Sequence, residues 1–151
     1  MAKATLDWNG PAVTAKLEAA QVQGVNATMG RCVNHAKRNH PWRNRTGHLE
    51  GSIQLVDLAK RDGNGVRGVW GSTDQAQALI LELGGIITPK KAQALKIPMP
   101  DGSFRFVKWV RIPAYPYLRP AADAIYPQLA ANIRVAYERG GTAPAGGGGN
   151  G

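Results

Sequence analysis

The chain is poor in the residues from which most active sites are built. Its 151 residues include one cysteine, Cys32, which excludes an internal disulfide and fits a reducing compartment. Cys32 and His35 share a face of a predicted helix, but His40 falls past its end and His48 lies farther on. No four-ligand set of recognisable metal spacing results, and solvated histidines beside a basic segment are the ordinary reading. None of Ser52, Ser72 and Ser103 sits in a G-x-S-x-G elbow. Gly63-Asn64-Gly65 lacks the lysine and helix of a phosphate loop. Nothing in the spacing of Glu82 and Glu138 makes them an acid–base pair. The chain is therefore read as a non-enzyme, without cofactor or metal. Only a small basic ribonuclease, working with Arg, Lys and His alone, escapes these exclusions.

Long apolar runs are also missing, and none approaches the roughly 18 residues that a membrane span needs. The start, M-A-K-A-T-L-D-W-N-G, has no signal-peptide apolar core, so residence in a cytoplasm is expected. Acidic residues are scarce: 10 Asp and Glu stand against 19 Lys and Arg, a formal charge of +9. That excess favours polyanionic partners, either nucleic acid or the acidic faces of other proteins, and charge alone does not choose between them.

What is present describes one globular domain with one core. Hydrophobic residues make up 43% and charged residues 19%, in the range of a folded soluble chain. The expected domain covers residues 1–139. Residues 140–151, glycine-rich and without apolar content, read as a flexible tail.

The stretch around which the chain is organised is Ala114–Ala122, A-Y-P-Y-L-R-P-A-A. Pro116 and Pro120 disfavour helical backbone at Tyr115 and Arg119, which predicts an extended strap, and Pro120 suits the first turn of a following helix. The strap presents Tyr115, Tyr117 and Leu118 as apolar anchors for its own domain or for a neighbour.

Upstream, Asn9-Gly10-Pro11 signals a helix start. Val13, Leu17, Ala20, Gly24/Val25, Thr28/Met29, Cys32 and Ala36 then form a narrow helical stripe, ending near Asn39 before Pro41. Gly24 and Gly30 each weaken that helix by about 1 kcal/mol relative to Ala, so it must pack along something, such as a sheet. The densest basic stretch follows, with Lys37, Arg38, His40, Arg43, Arg45 and His48 around Trp42.

Ser52–Leu58 and Val66–Trp70 read as a hairpin with a long turn at Asp62-Gly63-Asn64-Gly65. Ile53 and Leu55 fall on one face of the first strand, Val56 and Leu58 on the other. Ser72-Thr73-Asp74-Gln75 matches a capping box opening a short helix that Gly84-Gly85 ends. Ala94–Ile97 and Phe104–Val110 read as two more strands, the second with one face buried and one partly covered. In the last helix, Ile125, Leu129, Ile133 and Ala136/Tyr137 share a face, and Pro127 is expected to kink it. The fold class is α+β: an antiparallel sheet of hairpins packed by a long N-terminal helix and a C-terminal helix, with a short helix between the strand pairs.

Several of these segments, in this order, resemble the neck or tail-completion (head–tail joining) proteins of long-tailed double-stranded DNA bacteriophages. The likeness runs over about Ala12–Tyr137. T-G-H-L-E-G-S-I at Thr46–Ile53 is similar to the family's T-G-x-L-x-x-S-I, and V-W-G-S follows at Val69–Ser72. L-E-L-G-G at Leu81–Gly85 stands where the family has E-x-G, before I-T-P-K-K-A-Q-A-L at Ile87–Leu95. P-A-Y-P-Y-L-R-P-A at Pro113–Ala121 is similar to P-x-x-P-F-L-R-P-A, with Tyr117 in place of the usual phenylalanine. That change adds a hydroxyl that needs a partner. The glycine-rich end has no counterpart.

The resemblance implies a structural virion protein that forms a ring, by family habit a hexamer, between head connector and tail. Its neighbours would be head-completion or connector proteins and tail-terminator or tail-tube proteins, with double-stranded DNA passing through the channel and no membrane partner. Assembly would take place in the host cytoplasm. A ring needs two different patches per subunit that fit head to tail. The expected interface set is Tyr115, Tyr117, Leu118 and Arg119 with Phe104, Phe106 and Trp109. Tyr115, Tyr117 and Leu118 would also lock the C-terminal helix to the sheet, and Arg119 would suit an acidic group of a neighbour. Arg38, Trp42, Arg43 and Arg45 would meet an acidic adjacent ring or the DNA phosphates; a solvated loop is the plain alternative for these arginines. The competing function is a stand-alone basic nucleic-acid-binding protein, whose free chain would bind duplex DNA with a steep salt dependence.

Overall fold

A computed structural model of the chain describes residues 3–43 and 47–140. Arg45, Thr46 and the end beyond Gly140 lie outside these described residues. The elements run α1 (Gly10–Arg38), α2 (His48–Ser52), β1 (Ile53–Asp62), β2 (Gly65–Ser72), α3 (Gln75–Leu83), β3 (Gly85–Ile87), β4 (Leu95–Pro98), β5 (Phe104–Val107), β6 (Val110–Ile112), α4 (Leu118–Ile125) and α5 (Leu129–Glu138). The architecture is the expected one of long first helix, antiparallel hairpin strands and C-terminal helix.

Asn9 caps α1, its side-chain oxygen accepting the Ala12 N–H at 3.3 Å, and Asn39 closes the other end. The buried stripe is Ala20, Gly24, Thr28, Met29, Cys32, Val33 and Ala36, whereas Val13 and Leu17 in the first turns stay exposed. One side of α1 lies on the β1–β2 hairpin and the other on α4 and α5. Gly24 marks the closest approach to α5. A Cβ placed there would stand 2.8 Å from the Ile133 Cα and backbone nitrogen, far inside van der Waals contact. Four residues on, buried Thr28 and Asn132 satisfy each other across the same seam at 2.9 Å.

The β1–β2 turn is shorter than expected: Asp62 pairs with Gly65, leaving only Gly63 and Asn64 between them. Gly63 has φ 59° and Asn64 a negative φ, the pattern of a two-residue hairpin turn whose first central position demands glycine. Two register shifts in β1, between Leu55 and Asp57 and between Asp57 and Lys60, insert bulges. The second frees the Ala59 N–H, which donates to the Asn26 Oδ1 of α1 at 2.8 Å. Ile53 and Ala59 thereby face inward, and Val56 and Leu58 outward.

The helix cap predicted at Ser72 belongs to Asp74, whose carboxylate accepts the Gln77 N–H at 3.3 Å. Ser72 serves the chain just before the helix, its hydroxyl accepting the Asp74 N–H at 3.2 Å. The expected strand Phe104–Val110 is broken at Lys108-Trp109 into β5 and β6. β5 pairs with β4 and β6 with β3, a three-residue strand that the sequence reading missed. The hairpins thus form three separate two-stranded antiparallel ladders.

Helical periodicity carries the C-terminal part, and Pro127 interrupts it as expected. A single 3-10 turn, Tyr126–Gln128, separates α4 from α5, since proline cannot donate the bond that would continue the ladder. Arg119, expected in extended backbone, is the second residue of α4. Arg119 takes helical backbone despite the local crowding by the Pro120 ring, and Pro120 itself costs the helix little in the first turn, where its N–H would be unpaired and no i−4 helical carbonyl lies in its way.

Candidate functional site

The strap and α3 are joined by one carboxylate. Glu82, on the last turn of α3, accepts backbone N–H groups from Tyr117 (2.9 Å), Leu118 (3.0 Å) and Arg119 (2.8 Å). These are first-turn donors of α4 that have no partner within their own helix, and an anion is favoured at that end. A fourth bond, Tyr115 N–H to the Leu81 carbonyl at 2.6 Å, fixes the strap upstream. Gly84 lets the two backbones meet. Its φ of 72° and ψ of 176° belong to a region open only to glycine. A Cβ there would stand 2.9 Å from the Ala114 nitrogen and the Ile112 carbonyl. In the sequence Glu82 stands out as an improbable catalytic acid and as the acidic residue of L-E-L-G-G. Its position two residues before a glycine, with a proline-rich strap to receive, was the available signal.

Tyr117 is completely buried. Its ring meets the edge of Trp42 at 4.2 Å, and it belongs to a core cluster with Val33, Ala36, Ile53, Ala78 and Ala121. Leu118 packs on the same cluster. Tyr117 therefore serves its own domain and is withdrawn from any surface, while Leu118, half-buried, packs inward from the strap. Burial raises the Tyr117 phenol above its ordinary range, partly offset by the neighbouring Ser72 hydroxyl. The Tyr117 hydroxyl makes no hydrogen bond of full geometry among the described residues. Burial likewise pushes the Cys32 thiol up to about 11, so it is a protonated packing residue at neutral pH.

Trp42 is also withdrawn from the surface set predicted for it. It stacks on His40 at 4.1 Å and packs against the core cluster. His40 lies 3.6 Å from the Glu50 carboxylate and also bonds the Trp42 carbonyl at 3.0 Å. Arg38 and Arg43 remain exposed on the loop side of this stack. Residues 47–53 of the T-G-x-L-x-x-S-I segment dock here too. Gly47 opens α2 with φ 76°, Leu49 and Ile53 are buried, and the Ser52 and Ser72 hydroxyls pair at 2.6 Å.

The remaining expected interface residues stay on the surface. Phe104, Phe106 and Trp109 are 53%, 67% and 60% exposed, contrary to the expectation of a half-buried face. Tyr115 and Arg119 are exposed as well. The β4–β5 hairpin projects as an arm: β4 and β5 pair with each other, and no other element packs broadly against them. Its tip is firmly built, with Met99 N–H to the Ser103 carbonyl at 2.8 Å and Ser103 N–H to the Asp101 carboxylate at 2.9 Å. At the root of the arm, α3 and the β3–β6 ladder enclose an apolar groove of about 600 Å³. Ile80, Leu81, Ile86, Ile87 and Ile112 line it, with Gln77, Thr88 and Lys90 at the rim.

Among the described residues no cluster of three or more metal-ligating side chains forms, and no helix is long and apolar enough to cross a membrane. What the arrangement offers is attachment surface: an aromatic arm, an apolar groove and exposed arginines. No family model matches the chain, and neither a curated protein nor a solved structure matches it.

Proposed function

We propose that this chain is a structural protein of the neck of a long-tailed double-stranded DNA bacteriophage, a ring subunit joining the head connector to the tail. One observation supports this reading above the others. Four of the five segments on which the family resemblance rests, all but Ile87–Leu95, meet at a single joint. Glu82 and Gly84 receive the strap, while Ile53 packs in one cluster with Tyr117 and the Ser52–Ser72 pair ties the two segments together beside it. Motifs matched by chance have no reason to meet in space. The surface points the same way, because Leu79, Leu83, Ile86, Phe104, Phe106 and Trp109 are left exposed. Exposed apolar side chains of this size are what subunit contacts draw on.

Mass by light scattering tests the reading, on the protein alone and then with the adjoining connector and tail proteins. A chain that gains a ring only on a neighbour supports it. A stable monomer that ignores those neighbours and binds duplex DNA, more weakly as salt rises, transfers the assignment to a stand-alone nucleic-acid-binding protein.

A further inference from the structure

The chain's excess of positive charge is concentrated in one short stretch. Residues 84–112, which carry β3 to β6, hold Lys90, Lys91, Lys96, Arg105, Lys108 and Arg111 against a single carboxylate, Asp101. Six cations and one anion leave +5 of the formal +9 here. All six cations are exposed, and among the described residues none of them makes an ion pair. Asp101 is turned to its own hairpin tip, where its carboxylate accepts the Ser103 N–H at 2.9 Å and the Ser103 hydroxyl at 2.5 Å. Unbalanced charge of one sign repels itself, and a polyanion relieves it.

Aromatic rings are interleaved with these cations. Phe104, Phe106 and Trp109 alternate with Arg105 and Lys108, and all five side chains are exposed. Strand pairing sets Lys96 opposite Phe106 and Pro98 opposite Phe104, so one face of the hairpin carries both rings and the lysine. The Lys96 ammonium lies over the Phe104 ring at 3.9 Å, which places the cation at the aromatic in space as well as in sequence. Leu95, Ile97 and Val107 point the other way and are half-buried. The rings discriminate among the polyanions that fit the charge. An acidic protein face would meet aromatic faces that are themselves electron-rich. A lipid surface that took in Phe104 would draw the Lys96 ammonium below its headgroups as well, at a high desolvation cost. A duplex keeps its base faces stacked on one another and offers the rings nothing. A single strand supplies both halves of the match: phosphates for the cations and free base faces for the rings.

We infer that the outer face of the β4–β5 hairpin, with Lys108 and Trp109 beyond it, binds single-stranded nucleic acid. Phe104, Phe106 and Trp109 stack on successive bases, and Lys96 and Lys108 meet the phosphates between them. The pairing of β4 with β5 and the bonded tip hold this face in shape before the strand arrives. Stacking of this kind tolerates any sequence, because every base has a π-face. The inference does not rest on the ring reading, and it leaves Leu79, Leu83 and Ile86, exposed on α3 and β3, to contacts between subunits.

The test is fluorescence anisotropy of a labelled oligothymidylate titrated with the full chain at several salt concentrations. A mixed-sequence duplex, polyglutamate and phosphatidylserine vesicles serve as competitors. The oligothymidylate should bind about tenfold or more tighter than the duplex, since only it offers free bases. F104A/F106A should keep the circular dichroism of the parent, both side chains being exposed, and should weaken binding about thirtyfold or more through the loss of two stacking rings. K96A/K108A should reduce the slope of log K against log salt by about 1.4, the share of two phosphate contacts on a single strand. Equal affinity for duplex and single strand, or parental binding by F104A/F106A, would reduce the contact to unspecific charge and overturn the inference. Polyglutamate or vesicles bound in preference to the oligothymidylate would overturn it in favour of an acidic protein or a lipid surface. The mass of the assembled particle, read separately by light scattering, decides the ring reading whichever way these titrations fall.

Discussion

At the scale of single residues, Glu82 ties the last turn of α3 to the start of α4. Three backbone donors converge on it within 3.0 Å, and a charged acceptor is worth more per bond than a neutral one. Glu82→Ala is expected to lower the unfolding free energy by about 2–3 kcal/mol in urea titrations, and Glu82→Gln, which keeps one acceptor oxygen, by roughly half of that. An alanine variant within about 0.5 kcal/mol of the parent would show that the strap holds without the carboxylate. Tyr117 points in the opposite direction. Its ring is indispensable packing, but its hydroxyl is buried without a hydrogen bond among the described residues. Tyr117→Phe, which restores the phenylalanine of the resembling family, should be neutral or stabilising by about 1 kcal/mol, since it removes an unsatisfied polar group and leaves no cavity. A loss of more than 1 kcal/mol on the same titration would mean that the hydroxyl has a partner after all.

At the scale of elements, α1 separates two glycines that look alike in sequence. Gly24 meets the α5 backbone at Ile133, and Gly30 has nothing within 4 Å of where a Cβ would stand. Gly24→Ala should therefore cost about 1–3 kcal/mol by forcing the helices apart. Gly30→Ala should add about 0.5–1 kcal/mol by restricting the unfolded chain. Thermal unfolding of the two variants decides it, and equal shifts of the same sign would refute the close crossing. The same contrast explains how much of the fold was legible. The long helix, its caps, the first hairpin and the Pro127 break rest on local chemistry, and the sequence carries them plainly. The break at Lys108-Trp109 and the strand Gly85–Ile87 depend on which ladder each strand joins, a tertiary choice that alternation alone does not encode. Trp42 misled because basic neighbours suggest a surface, whereas the T-shaped contact with Tyr117, 75 positions away, takes it inward.

At the scale of the whole molecule, the exposed Arg38 and Arg43 lie apart from the apolar groove, which has cations of its own in Lys90 at the rim and Lys96 on the neighbouring hairpin. The apolar groove is lined from α3, β3, the following loop and β6, whereas Arg38 and Arg43 are exposed at the far end of α1 and on the loop beyond it. That separation suits a subunit with one contact to copies of itself and another to an acidic neighbour or to DNA. Arg38→Glu with Arg43→Glu should leave the mass and folding of the free chain unchanged while abolishing tail joining, scored as the yield of tailed particles. Tailed particles at parental yield would remove the basic loop from the neck contact. The candidate surface was legible in its parts: Phe104, Phe106 and Trp109 could be picked out as aromatic side chains on a strand. Their exposure was not legible, because alternation gives the face of a strand but not whether anything covers it.

The joint at Glu82 has a mechanical consequence. A pull on the arm travels down the β3–β6 ladder into Gly84 and the strap, and from there into α4 and the long α1. The bonds at Tyr115, Tyr117, Leu118 and Arg119 lie within five consecutive residues of strap and helix start and end on neighbouring residues of α3, Leu81 and Glu82, so they share that load together. A connection built this way stays rigid up to a threshold and then yields at once.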